Sequence, residues 1–209
     1  MTRKLNDVVG VNPITIMEAI YSRRSIRDFN DEIVDSELIT TLFNAAIQAP
    51  TAMHEEPCAF CVIQDPGLLQ RISHDAKQLI LSKGSDQHFF SRHAVEIAQN
   101  PEFKIFYNSN TLALICSKFK SQFVQADCWL AAQNLMLAAY AHGVGSCVIG
   151  LAVEILNTPQ WKHELNIPGE VDIIAPIILG KAAHDGSQAS RKPVEILSWK
   201  SLPLEDSAR

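Results

Sequence analysis

The run Arg23-Arg24-Ser25-Ile26-Arg27 gathers three of the chain's eight arginines into five positions. Arginine presents a fixed fork of donors that suits phosphate, and serine adds a hydroxyl donor. In an extended backbone alternate side chains share a face, so Arg23, Ser25 and Arg27 would point the same way. The bland alternative is a solvated run of surface charge. Flanking Tyr21 and Phe29, and a position between two helical segments, favour a turn that presents donors. A second segment, Ala49-Pro50-Thr51-Ala52-Met53-His54-Glu55-Glu56-Pro57, reads as a helix end, a proline stop and a small-residue loop. Small residues let backbone approach a flat ligand closely, although an ordinary loop has the same composition.

Other chemistry fails on spacing. Gly143-Val144-Gly145-Ser146-Cys147-Val148 lacks the third glycine of a dinucleotide fingerprint and follows a helical pattern where that fingerprint follows a strand. Gly145 to Gly150 has the spacing of a phosphate-binding P-loop, but Leu151 stands where its lysine is needed. The plain reading is a helix C-cap and a tight strand entry. No His-x-x-x-His pair and no Gly-x-Ser-x-Gly elbow occurs, so neither a protein-bound metal nor a serine nucleophile is expected. Cys58-Ala59-Phe60-Cys61 has redox spacing, but it lies in a strand pattern, which predicts two packed thiols.

Composition narrows the partners. Eighteen Lys and Arg face 23 Asp and Glu, a net charge of −5, which argues against a broad nucleic-acid face. With 209 residues, 47% of them hydrophobic and 20% charged, the chain is expected to form one globular domain. Five scattered cysteines argue against a disulfide framework. The basic N-terminus has no apolar segment behind it, and the apolar stretch 129–153 is interrupted by Gln133, Asn134, His142 and Ser146. A cytoplasmic protein without a membrane span is the expectation.

The elements that must position these residues follow from periodicity. Asn12-Pro13 predicts a helix start with Asn as N-cap, and Ile16, Ala19 and Ile20 give it one apolar face. A second helix is predicted from Asp35-Ser36, with Leu38, Leu42, Ala45, Ala46 and Ala49 on its stripe until Pro50. A strand follows at 59–63. Asp65-Pro66 opens a third helix, with Leu68, Leu69, Ile72, Ala76, Leu79 and Ile80 inward. Residues 84–110 are rich in aromatics and show no clear period, so they could roof a pocket or pack as a plain helix. A core strand at 111–116 precedes a long helix, Ser121 to Ala141, apolar on most sides, which predicts a central or interface helix. A short strand at 144–149 and another at 171–179 complete the pattern. Pro176 in the last predicts an edge or a bulge. The tail carries an apolar patch at Val194, Ile196, Leu197 and Trp199. The whole reads as α+β.

In order, these segments resemble the nitroreductase family of FMN-dependent oxidoreductases. The matching pieces are the arginine run with Asp28-Phe29, Ala49 to Ala52, Pro57, Phe60, the long helix with Gln133-Asn134-Leu135, Gly143 to Ser146, Ile178 to Lys181, and Arg191-Lys192-Pro193. The resemblance implies a mostly antiparallel sheet flanked by helices in an intertwined homodimer. In it the arms 1–12 and 185–209 pack on the partner subunit. It places Arg23, Ser25 and Arg27, with Arg24 beside them, on FMN, and Arg191 on the phosphate. It lays Pro50, Thr51, Ala52, Met53 and His54 along the flavin, and sets Cys147, Val148, Ile149 and Gly150 at its reactive edge. The activity implied is hydride transfer from NADH or NADPH to FMN and on to a small-molecule acceptor, such as a nitroaromatic or quinone, by ping-pong use of one pocket. Flavin cleavage, dehalogenation, dehydrogenation and a non-catalytic FMN-binding module are the alternatives. The chain departs from the family pattern at His54, Glu56, Cys58 and Ala189, where Asn, Gln, a large aromatic and a basic residue are usual. Glu56 adds negative charge against a reduced, anionic flavin.

Overall fold

The computed structural model describes residues 14–83, 91–187 and 190–201. Four strands form one sheet: β1 (Cys58–Ile63), β2 (Thr111–Ser117), β3 (Gly145–Val148) and β4 (Asp172–Gly180). Their spatial order is β1-β2-β4-β3, and every neighbouring pair is antiparallel. Alternate side chains divide the core. Cys58, Phe60, Ala113, Ile115, Ala175, Ile177 and Leu179 face one way, and Ala59, Cys61, Ile63, Leu112, Leu114, Cys116 and Ile178 face the other. Each face is covered by helices, so the predicted α+β class with an antiparallel sheet is the observed one.

On the first face lie α2 (Ser36–Ala46) and α5 (Val124–Ala141), and on the second α3 (Pro66–Lys83), α6 (Val153–Leu156) and α7 (Pro159–Glu164). The start signals predicted for two of them hold in detail. The Asp35 carboxylate accepts from the N–H groups of Glu37 and Leu38, and the Asp65 carboxylate accepts from Gly67 and Leu68, satisfying donors that have no partner inside a helix. The stripe of α3 buries Leu69, Ile72, Ala76 and Ile80.

One expectation needs correction, and two that stood open are resolved. The first helix, α1 (Ile16–Ser22), begins after Thr15, whose hydroxyl accepts from Glu18 N–H while the Glu18 carboxylate accepts from Thr15 N–H. This reciprocal capping box fixes the start; Asn12 and Pro13 lie outside the described residues. Within 84–110 a short helix, α4 (Arg92–Gln99), forms on a Ser91 cap, and Phe106 is buried in the core while Phe103 and Tyr107 pack at its margin. Phe89 and Phe90 lie outside the described residues. Finally, Pro176 sits in β4, an interior strand. It is tolerated because β3 pairing ends at Ile177, while Ala175 and Ile173 take successive partners on β2, so Ile174 is the extra residue of a bulge. The predicted bulge is present, and the edge is not.

Candidate functional site

The arginine run leaves α1 and lies against the open side of β3. Ile26 N–H donates to the Ser146 carbonyl at 3.1 Å, and Ser25 forms a parallel bridge with Ser146. Further along, Phe29 bridges Ala182 and Asn30 N–H reaches the Lys181 carbonyl. Ile26 and Phe29 are the buried anchors of this strip. Their approach depends on two glycines. A Cβ on Gly145 would stand 2.9 Å from Ile26 Cγ1, and one on Gly180 would stand 2.7 Å from Phe29 Cδ1. With the apolar residues turned inward, Ser25 and Arg27 are exposed and Arg23 and Arg24 half-buried.

A cavity of about 370 Å³ opens beside the strip, lined by Arg23, Arg24, Tyr140, Ser146 and Asp185 among others. Burial holds the Arg23 pKa below the ordinary arginine value; Cys147 works the other way, and the charges of Arg191 and Arg24 add to the lowering. Arg191 is therefore within electrostatic reach of Arg23, although 168 residues separate them (191 minus 23). Among the described residues none of Arg23, Arg24, Arg27 and Arg191 is in an ion pair, Asp185 included. Ser146 lines the same cavity, and its hydroxyl is buried without a hydrogen-bond partner. A buried, unsatisfied hydroxyl beside uncompensated guanidinium groups is the setting an anionic oxygen-rich group would complete.

The arginines differ in their freedom. Arg24 Nη1 donates to the carbonyls of Tyr21 and Arg23, at 2.7 and 2.8 Å, so this guanidinium closes the end of α1. Arg23 donates to the Arg24 carbonyl through Nη1. The Arg27 guanidinium carbon lies 5.9 Å from the centre of the Tyr107 ring, within range of a cation–π contact. Tyr107 is one of the aromatics of 84–110, and its left-handed backbone, φ 50°, is not legible from residue type.

At the other end of β3, Cys147 and Ile149 are buried in the second core face, and Ile149 N–H is taken by the Pro176 carbonyl at 2.8 Å. Val148 is half-buried on the first face. Gly150 is exposed, has open space around it and starts a single 3₁₀ turn, Gly150–Ala152. The N–H groups of a first helical turn have no partner within it. The outward-facing backbone of this stretch is thus at Gly150.

The loop after α2 is built differently. Pro50 is exposed, Thr51 and Ala52 are half-buried, and Met53 and His54 are exposed. Ala52 to His54 form a 3₁₀ turn in which Met53 and His54 take φ of 54° and 56°. Such angles are uncommon for residues other than glycine. The loop is pinned by Asp127, 4% exposed in the first turn of α5, whose carboxylate accepts Ala52 N–H at 3.2 Å. Asp127 was not singled out from the sequence; an acid in the first turn of an otherwise apolar helix was the available signal. Asp127 and Tyr140 mark opposite ends of α5. At 1.5 Å per residue they are about 20 Å apart along the axis. The chain therefore brings Arg23, Arg24, Ser25 and Arg191 together at one end of α5 and holds Thr51 to His54 at the other.

The chain matches the Nitroreductase family over residues 20–181. It is 30% identical to Protein DrgA of Synechocystis sp., over 90% of this chain and 94% of that protein. It is 27% identical to the FMN reductase (NADPH) of Bacillus subtilis, over 85% of this chain and 68% of that protein. Its fold is shared with the crystal structure of a nitroreductase with bound FMN from Bacteroides fragilis, with TM-score 0.74 and 21% identity over 91% of this chain and 100% of that one. Matched to the family over residues 20–181, most of its length, this chain belongs to the nitroreductase family.

Proposed function

We propose that this protein is an FMN-dependent NAD(P)H oxidoreductase acting on a nitroaromatic, quinone or similar acceptor. The observation that carries the reading is the cluster of Arg23 and Arg191 without carboxylate partners, beside the unsatisfied Ser146 hydroxyl. FMN, when bound, supplies the hydride chemistry, so no protein nucleophile is needed. Arg23 and Arg191 would hold the phosphate, with Ser25 contributing its exposed hydroxyl. Arg27, one alternation along the strip, would carry positive charge to the ring, where it stabilises the negative charge gained on reduction. Gly150 would offer a backbone donor at the ring edge. Thr51 and Ala52 are small enough for a flat ring to lie against them.

The same reading makes the protein a homodimer. The loop and the arginines of one protomer stand at opposite ends of α5, too far apart to grip one ring, so a second copy supplies the missing half. Apolar exposure agrees with this. Ile16, Met17, Ile20 and Tyr21 on α1, Phe123 just before α5, Trp129 and Leu130 on α5, and Val194, Ile196, Leu197 and Trp199 on the tail all face solvent in the single chain. Large apolar side chains gathered on a few elements in this way are what an interface would cover. The tail from 190 to 201 runs exposed along its length, as an arm that packs on a partner would. The arm 1–12 lies outside the described residues. No helix among those described is long and apolar enough to cross a membrane.

The test is anaerobic titration of the FMN-loaded protein with NADH and NADPH, followed by a panel of nitroaromatics and quinones. Bleaching by a nicotinamide and recovery on adding an acceptor support the reading. Bound FMN that neither nicotinamide reduces would point to a non-catalytic FMN-binding protein.

A further inference from the structure

The Cys-x-x-Cys motif is not a pair. Cys58 and Cys61 lie on opposite faces of β1, as an odd spacing in a strand requires. The partner of Cys58 is 70 residues away. Its Sγ lies 3.7 Å from Sγ of Cys128 on α5. Cys128 is fully buried, whereas Cys58 is half-buried and lines a second cavity of about 300 Å³ with Thr51, Glu56, Lys118 and Asp127. One thiol thus meets a cavity and the other stands behind it.

We infer that Cys58 and Cys128 form a peroxide-sensitive dithiol that closes to an intramolecular disulfide between β1 and α5. The two sulfurs must approach by roughly 1.7 Å to reach a bond of about 2.05 Å. Hydrogen peroxide, small enough for the cavity, is the oxidant. The Cys58 thiolate attacks one peroxide oxygen; the S–O bond forms, the O–O bond breaks, and the leaving hydroxide takes a proton to become water. The Cys128 sulfur then attacks Cys58 Sγ. The S–S bond forms, the S–O bond breaks, and the departing hydroxide leaves with the Cys128 proton as a second water. Two thiols lose two electrons and two protons, and one peroxide becomes two waters.

The surroundings favour Cys58 as the attacking thiol. Its hydrogen bond with Cys128 lowers its pKa against the opposing effects of burial and Asp127, Lys118 adds to the lowering, and the same hydrogen bond raises that of Cys128. Burial raises the pKa of Cys61, and pushes that of Cys116 up to about 12. Thiolate character controls both nucleophilicity and oxidation, so oxidation is directed to this pair and away from the thiols on the other face. The pairing does not depend on FMN. It would, however, join the strand that follows Pro57 to the helix turn carrying Asp127, next to the Ala52 anchor.

The experiment is treatment of the full-length protein with hydrogen peroxide, alkylation of free thiols, and peptide mapping by mass spectrometry without reduction. The expected result is a Cys58–Cys128 linked peptide that dithiothreitol removes and that Cys61→Ser retains. In Cys128→Ser, Cys58 is expected to stop at a sulfenic acid trapped by dimedone. If that variant does not fold, the wild-type map alone decides. Recovery of both cysteines as alkylated thiols after peroxide, a link between two copies through Cys58, or conversion of Cys58 to sulfinic acid with Cys128 still free would each overturn the inference.

Discussion

The buried carboxylate of Asp127 receives the backbone N–H of Ala52, tying the first turn of α5 to the loop that follows α2. The loop holds two successive left-handed residues, Met53 and His54, a conformation that persists only when its surroundings impose it. Asp127→Ala should therefore cost about 1–3 kcal/mol, the range for leaving a buried donor unsatisfied, and weaken FMN binding through the loop. Asp127→Asn, which keeps one acceptor oxygen, should lose less. Denaturant unfolding and FMN titration measure the two effects. Equal stability for Asp127→Ala and wild type would remove this anchor from the account.

The arginines should separate by role. Arg23→Ala and Arg191→Ala should each weaken FMN affinity roughly tenfold to a hundredfold, as loss of a charge-assisted contact worth about 1.5–3 kcal/mol implies. Arg24 is engaged by the carbonyls of Tyr21 and Arg23. Arg24→Ala should lower the melting temperature more than it lowers affinity. Fluorescence titration of FMN against the three variants gives the comparison, and an Arg24→Ala loss larger than that of Arg23→Ala would reverse the assignment.

Gly145→Ala should shift the strip rather than the cofactor directly. The added Cβ would meet the side chain of Ile26 at 2.9 to 3.1 Å. Overpacking of this kind costs about 1–3 kcal/mol. The atoms the added Cβ meets, Cβ, Cγ1 and Cγ2 of Ile26, are all kept in valine, so Ile26→Val should not restore the stability. Thermal melts of the single and double variants test this, with the double variant expected no higher than Gly145→Ala.

Acid should loosen the approach to the strip. Glu18 has its pKa lowered by the Thr15 backbone N–H and then by the Thr15 hydroxyl. A carboxyl depressed in the folded state contributes stability above its unfolded value of 4.5 and loses it as pH falls through the lower folded value. The α1 cap should therefore weaken below about pH 4.5, and Glu18→Gln should flatten this part of the pH profile. A circular-dichroism acid titration of both proteins shows whether it does.

Shared sites predict complementation between defective copies. Arg23→Ala damages the arginine half, and Thr51→Trp blocks the loop half. Alone, each should be nearly inactive at FMN concentrations that only just saturate the wild type. Co-expressed, half of the dimers are mixed and each carries one intact site, so about a quarter of wild-type activity should return for a two-fold dimer with shared sites. No recovery above the single variants would mean that each protomer closes its own site.

The α+β class and the arginine strip were legible because they rest on local rules, whereas the antiparallel sheet came from the family resemblance. Asp35 and Asp65 announce helices through their own side chains, and short apolar runs mark β1 and β2. The Thr15-x-x-Glu18 box was equally local, but Asn12-Pro13 drew attention first. What could not be read depends on contacts distant in the chain. Pro176 left an edge and a bulge both open, because the sequence does not reveal where β3 stops pairing. Cys58 was read as a packed thiol with no partner, because its neighbour, Cys128, is brought up by the packing of α5 on the sheet. The Asp127 anchor and the unsatisfied Ser146 hydroxyl are likewise products of assembly, not of spacing.

The central claim is tested most directly by the visible spectrum of the purified protein, with and without added FMN, before and after NADPH under nitrogen. The account predicts a retained flavin absorption band, lost in Arg23→Ala after desalting, that NADPH or NADH bleaches and an added quinone restores. A protein that stays colourless after incubation with FMN and desalting would contradict it.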